Sequence, residues 1–346
     1  MRKQLLSAAG LLILLAACNQ TTTAVAERSH ILASGSSTVY PFTRAVAERF
    51  HDSNPQLAAP VVESTGTGVG IGLFCAGTGG NHPDIVDASR RMRPSELQQC
   101  RANGINNITE LQIGSDGLAF VQSPAGPGIR LTRRELYEAL AATPYGEPNS
   151  KRRWNEINPS LPDIPILFYG PPAADGTRDS LAELILIPGC ESNAEMRQLR
   201  EQDERRFHQL CTTIRSDGVY VESGEDDERT AVQLIVNPGA IGIFGFGYLE
   251  RGGARLRGLA IDGIAPSVET IASGRYAGAR PLFIYVKADQ ADRVPGLRAF
   301  VADYARAIGP GGYLAQSGLI PAPDPVRAQT AQAATALTPL DPRALR

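Results

Sequence analysis

A chain of 346 residues that is 42% hydrophobic and 20% charged has the balance of an ordinary globular protein, with length enough for two domains that each bury a core. Its formal net charge of −2 lacks the basic excess on which nucleic-acid binding depends. The cysteines contain no CxxC pair, and His30, His51, His82 and His208 share no ligand spacing, so no metal or other cofactor is expected.

The first element in the chain is an export signal. Arg2 and Lys3 precede an apolar stretch built on Leu5, Leu6 and the run from Leu11 to Leu15, too short and wrongly flanked to span a membrane. Leu15-Ala16-Ala17-Cys18 looks like a bacterial lipobox, which implies cleavage before Cys18 and acylation there, palmitate included. Residues 1–17 are therefore expected to be a signal peptide and Cys18 the lipidation site. Acyl chains contribute about 0.8 kcal/mol per buried methylene, so several of them hold a protein at a membrane surface. Loss of Arg2 and Lys3 with the signal leaves a formal charge of −4. Residues 18–30, which include the polar run NQTTTAVAERS, read as a flexible tether.

Short apolar runs then alternate with helical patterns. Strands are expected at 30–33, 60–63 and 84–88, with a helix over 41–50 that puts Phe42, Val46 and Phe50 on one face, and another helix starting near Pro94. A long strand-like run over 108–121 is interrupted by Gly114, Asp116 and Gly117. A helix over 131–140 has Thr132 as its candidate cap. Beyond it come a strand at 164–169, a helix over 179–187, strands at 240–246 and 280–287, and a helix over 295–307. Strands alternating with helices imply an α/β fold with parallel sheet. The mixed charges of 197–206 suggest a solvated helix face, the acidic run 222–228 a solvated loop, and Trp154 a core residue. Residues 323–346, rich in Ala, Pro and Thr without a clear apolar period, read as a disordered tail. Export permits the four cysteines after Cys18 to pair, with three connectivities open. The local one, Cys75–Cys100 with Cys190–Cys211, closes loops of roughly 20–25 residues, each worth about 3 kcal/mol in the loop-entropy model.

Four segments place a Ser/Thr/Gly turn between an apolar strand and a helix: Ser34-Gly35-Ser36-Ser37-Thr38, Ser64-Thr65-Gly66-Thr67-Gly68-Val69-Gly70, Ala88-Ser89-Arg90-Arg91 and Ala174-Asp175-Gly176-Thr177-Arg178-Asp179. Helix starts offer free backbone N–H groups and the positive end of a dipole. Glycines let the backbone come close to a ligand. Hydroxyls, amides and a planar guanidinium suit a tetrahedral oxyanion, and strand ends are where α/β sheets bind ligands. No GxxxxGK[ST] motif is present, which argues against a P-loop nucleotide site.

Gly35-Ser36-Ser37-Thr38-Val39, Asp84-Ile85-Val86-Asp87-Ala88-Ser89-Arg90 and Asp175-Gly176-Thr177-Arg178-Asp179 resemble, in order and separation, the phosphate-binding subunits of ABC transporters. Phe74-Cys75-Ala76-Gly77 resembles a branch with a disulfide at that place, and Asn237-Pro238-Gly239-Ala240-Ile241-Gly242 also fits. The likeness covers roughly residues 31–322. It implies a two-lobed, Venus-flytrap periplasmic-binding-protein fold of the α/β class, two doubly wound lobes joined by a two-strand hinge. One lobe would combine residues 31–114 and 284–322, the other would be 115–283, and the hinge would lie near 114–118 and 280–285. Carried over by motif, Ser36, Ser37, Thr38, Thr67, Ser89 and Arg90 would meet inorganic phosphate from the first lobe, and Asp175, Gly176, Thr177 and Arg178 from the second. The likeness also implies a monomer that is exported, held at a bacterial membrane by its lipid, and serves ABC-transporter permease subunits.

Two positions depart from the commonest pattern. Arg90 stands where some members carry Asp, and Asp175 stands where serine normally precedes Gly-Thr. Asp175 is either a solvent-facing helix cap or an acceptor for a proton of phosphate, which would reject a fully ionised oxyanion. Arg215, Asp217 and Gly218 resemble a family loop without an assignable contact. The alternatives are a phosphate or oxyanion sensor or surface protein on the same fold and, further off, a secreted phosphoester hydrolase. The latter needs a metal cluster or an activated nucleophile, and the histidine spacing offers neither, so the chain reads as a binding protein rather than an enzyme.

Overall fold

The structure is a computed structural model that describes residues 29–345, apart from 174, 224–226, 253–254 and 310. The signal peptide 1–17, Cys18 and all but the last two residues of the tether lie outside the described residues. Among the described residues nine strands, β1 (Leu32–Gly35), β2 (Val61–Ser64), β3 (Ile85–Ala88), β4 (Ile108–Gln122), β5 (Phe168–Gly170), β6 (Tyr220–Glu222), β7 (Ile241–Gly245), β8 (Arg257–Gly258) and β9 (Ala279–Lys287), alternate with helices. Four helices matter most early in the chain: α1 (Tyr40–Ser53), α2 (Thr67–Cys75), α3 (Pro94–Ala102) and α4 (Arg133–Leu140).

The spatial order of the strands is β2-β1-β3-β9-β4-β7-β5-β6, with β8 beside β4. β1 pairs in parallel with β2 and β3, and β5 in parallel with β6 and β7. Between these two parallel groups run β9 and β4, antiparallel to each other from Ile108↔Lys287 to Gly117↔Ala279. The apolar interior divides accordingly. One cluster draws on residues 118–276 plus Ile320, whereas two others draw on residues 31–113 and on the chain from Leu282 onward. Ile113 of β4 belongs to one side and Leu118 to the other, so β4 changes cores within five residues. The β4–β9 register shifts there, between Gln112 and Gly114. A Cβ at Gly114 would lie 2.7 Å from the Ile320 carbonyl oxygen, and Ser115 and Ile320 exchange backbone hydrogen bonds of 2.8 and 3.0 Å. Glycine is what lets this third stretch of chain cross at the same place.

Local chemistry explains why the elements start where they do. Phe42, Val46 and Phe50 are spaced four apart and all bury, with Pro41 in the first turn of α1. Thr132 caps α4 by accepting from the Glu135 amide at 3.2 Å, while the Glu135 carboxylate accepts from the Thr132 amide at 2.8 Å. The local disulfide connectivity is the one formed: Cys75–Cys100 ties the end of α2 to α3, and Cys190–Cys211 lies in the other core. Trp154 is fully buried against Phe168, as a core residue.

Several expectations shift. Two separate helices, Ala194–Gln202 and Glu204–Thr212, stand where one charged helix face was read, because Asp203 caps the second by accepting from the Arg206 amide. The strand read at 164–169 is confined to β5, and the acidic run is not simply a loop, since Glu222 ends β6 and Asp227 opens a helix, Asp227–Val236.

The tail 323–346 is the clearest correction: residues Asp324–Ala336 form a helix rather than a disordered segment. Alanine is the best helix former, so a run too poor in large apolar residues to show a stripe still folds once it has a surface to lie on. Here that surface is the first half of β4. Thr330 donates to the Gln112 carbonyl at 3.1 Å, the Leu340 amide to the Ile108 carbonyl at 2.7 Å, and Ala334 and Leu337 join the core. Deleting residues 323–346 is expected to cost about 3 kcal/mol or more from Leu337 and Leu345 alone. Urea unfolding of the truncated protein measures this, and an unchanged midpoint would show that the helix contributes nothing.

Candidate functional site

The turns after β1, β2 and β3 form one interlocked surface. Gly35 accepts from the amides of Thr65 (2.9 Å) and Gly66 (2.7 Å), and the Ser36 amide donates to the Asp87 carbonyl at 2.9 Å. Gly35 has φ +145°, and a Cβ there would lie 2.1 Å from the Asp87 carbonyl oxygen, so no other residue fits. Ser34 and Thr65 share a hydroxyl–hydroxyl contact of 2.9 Å. Thr67 and Ser89 share another of 3.0 Å, and Thr67 also accepts from the Ser89 amide at 3.1 Å. Neither α1 nor α2 has a side-chain cap, but in α1 the Tyr40 and Phe42 amides go to the Ser36 and Val39 carbonyls at 2.9 and 3.0 Å and Pro41 has no amide, so it is the start of α2 rather than of α1 that can present backbone donors.

The helix Gly176–Leu181 meets this surface head on. A Cβ on Gly176 would lie 3.1 Å from Ser37 Oγ and 3.5 Å from the Thr38 amide nitrogen. Ser37 donates to Asp179 at 3.3 Å. The Arg280 guanidinium, on β9, donates to Thr38 Oγ1 at 2.6 Å and to Ser180 Oγ. Ser37, Thr38 and Gly176 therefore lie together, with Asp179 and Arg280 beside them.

The remaining candidates are placed as follows. Ser36 is buried, and its hydroxyl lies 3.4 Å from the Val39 amide. Arg90 is bound in a two-pronged pair to Glu96, at 2.7 and 2.9 Å. Burial opposes charge on Glu96, yet the Arg90 guanidinium and the Arg93 amide outweigh it and hold the carboxyl below its usual range. Arg178 donates to the Pro171 carbonyl at 3.1 Å, lies 4.7 Å over the Tyr220 ring and faces Glu222 at 3.7 Å. Asp175 is a helix cap: its carboxylate accepts from the Thr177 amide at 2.7 Å. That amide is one the resemblance offers to the ligand. Arg215 is buried and pairs with Asp217 at 2.6 Å, which gives the family-like loop a structural part.

Beneath these turns lies a titratable group. Asp87 is fully buried, and burial, opposed only by the hydrogen bond from Thr43, pushes its carboxyl up to about 7. Thr43 donates to Oδ1 at 2.8 Å and contacts the Tyr304 hydroxyl at 3.0 Å, while Oδ2 has no hydrogen bond among the described residues. A cavity of about 500 Å³ beside Arg91, Gln112, Ser115, Ser273 and Phe283 is lined by none of the candidate residues.

Sequence reasoning missed Asp179, Ser180, Glu183 and Arg280 as site residues. The readable signal for Arg280 was a cation near the start of a largely apolar strand, ARPLFIYVK.

A family model described as a PBP superfamily domain matches residues 20–305. The chain belongs to this superfamily. Within it, the chain is 32% identical to Protein SphX of Synechococcus elongatus, over 83% of this chain and 76% of that one. It is 25% identical to the phosphate-binding protein PstS of Staphylococcus saprophyticus, over 85% and 82%. A solved structure of a possible phosphate-binding protein from Planctomyces limnophilus superimposes with a TM-score of 0.70 at 27% identity, covering 89% of this chain and 97% of that one. The mixed α/β fold is thus that of PBP-superfamily proteins.

Proposed function

We propose that the protein captures inorganic phosphate between two lobes and delivers it to the permease subunits of an ABC transporter. One observation carries this reading: the Ser37 and Thr38 hydroxyls, ahead of α1, face the helix start at Gly176 and the Arg280 guanidinium, at Ser37–Asp179, Thr38–Arg280 and Gly176–Ser37. Such an arrangement suits an oxyanion, and relatives are named as phosphate-binding proteins. It binds its ligand unchanged and is not an enzyme. Residues 31–114 with 284–322 would form one lobe and 115–283 the other, with β4 and β9 bending near 114–118 and 280–285. The division of the core between Ile113 and Leu118 supports that boundary. Ser36, Ser37, Thr38, Thr67, Ser89 and Arg90 would serve the anion from one side, and Gly176, Thr177 and Arg178 from the other. A ligand favours closure only through contacts with both sides, which this division provides.

The test is calorimetric titration of phosphate-stripped protein with phosphate, sulfate and molybdate. One-to-one binding of phosphate, with sulfate at least 100-fold weaker, is the expected result. Folded protein that binds none of the three would sink the proposal. We also propose that the chain works outside the cytoplasm, anchored through acylated Cys18. Cys18→Ala is expected to shift the protein from the membrane fraction to the soluble fraction and to remove label from radioactive palmitate; retention of either would refute the anchor.

A further inference from the structure

Of three arginines that could serve the anion, two are bound apart from Ser37 and Thr38, Arg90 to Glu96 and Arg178 to Pro171 and Tyr220. The third is Arg280, which is only 4% exposed. Its Nη2 serves Thr38 on one side and Ser180 on the other. Nη1 donates to the Glu183 carboxylate at 2.7 Å, and Asp116 is 3.7 Å from Nε. Nε itself is buried and makes no hydrogen bond among the described residues. A buried guanidinium with an unused donor is costly unless something else completes it.

Glu183 is presented in an unusual way. The helix that starts at Gly176 widens to π-helical pitch over Ala182–Leu186 before Pro188, which has no amide to give to Leu184. Glu183 lies in that wide turn, and its side chain is 43% exposed where Arg280 is enclosed. The pair thus joins a fixed cation to a carboxylate that can swing into water.

We propose that Arg280 is the cation that charges the cleft. Its guanidinium, mounted on a strand shared by both cores, takes the oxyanion beside Thr38 and Ser180, and Glu183 is its counter-ion until the anion arrives. This rests on the phosphate reading above. Arg280 adjoins the place where β9 changes cores, so the same group would report the anion to both sides at once.

The experiment is calorimetric phosphate titration of four purified proteins: the parent, Arg280→Gln, Arg280→Lys and Glu183→Gln. Thermal melts without and with phosphate run alongside. Arg280→Gln is expected to weaken phosphate binding at least 100-fold and to abolish the phosphate-induced rise in melting temperature. Arg280→Lys keeps the charge but loses the planar fork, and is expected to bind about tenfold more weakly than the parent. This variant carries the test if Arg280→Gln does not fold. Glu183→Gln is expected to bind at least as tightly as the parent, by up to several-fold, since it removes a competitor for the guanidinium. Parent-like binding by both Arg280 variants overturns the inference. So does a loss in Glu183→Gln as large as that in Arg280→Gln, which would make the ion pair merely structural. A parent that binds no phosphate sinks the functional reading instead, and this inference with it.

Discussion

Replacing Asp87 by Asn is expected to flatten a fall in stability that the parent shows between about pH 4 and pH 7. The unfolded carboxyl titrates near 3.8 and the folded one at about 7, so between these values the folded protein holds a proton that the unfolded chain has released. Stability is then fully present below the unfolded value and declines as pH rises toward 7. At about 1.4 kcal/mol per pH unit the loss is on the order of 3–4 kcal/mol. Glu96 works in the opposite sense: held below its ordinary range, it contributes stability that disappears as the solution is acidified. The difference between parent and variant isolates Asp87. Asn is a fair stand-in for the neutral acid, because Thr43 can still donate to its carbonyl and Oδ2 has no partner to lose. Urea unfolding at pH 4.5, 6 and 8 should show the two proteins nearly matched at the lowest pH and the variant more stable at the highest. Parallel curves would mean that Asp87 titrates near its ordinary value. The consequence reaches the site, since the Asp87 carbonyl holds the Ser36 amide.

The second large effect is expected at Asp175, and it is a gain. Its carboxylate occupies the Thr177 amide at 2.7 Å and sets a negative charge at a helix start where an anion would sit. Serine caps a helix about as well and carries no charge. Asp175→Ser should therefore bind phosphate about tenfold more tightly, close to 1.4 kcal/mol. It should also admit sulfate, which the charged cap repels. Titration of both anions decides the matter. Weaker phosphate binding in the variant would mean that Asp175 touches the ligand and takes its proton.

Strand and helix periodicity made most of the fold readable. Leu32–Gly35, Ile85–Ala88 and Ala279–Lys287 are short apolar runs that bury along most of their length, and their bounds moved by only one or two residues. The four turns were readable because Gly, Ser and Thr cluster there for reasons of backbone geometry. Asp324–Ala336 escaped because its helix leans on a surface built 200 residues earlier, a partner that no local pattern shows. Arg280 escaped for a related reason. Its meaning lies in Thr38, Ser180 and Glu183, which come within reach only after β9 is laid beside β4. The partners that occupy Arg90 and Arg178 were equally invisible, because a motif supplies a residue type and not the neighbour that claims it.

The division of the interior sets an order of assembly. The cluster over 118–276 is, but for Ile320, one uninterrupted stretch, and its disulfide closes only 21 residues apart. That half can fold as soon as its own residues have emerged. The other half cannot. Its sheet lacks β9, and its apolar clusters lack Leu282, Phe300 and Leu337, until the last part of the chain arrives. The earliest residues to emerge, β1 and its glycine turn among them, must therefore wait the longest for a complete core, and they are the segment for which a holding chaperone would matter most.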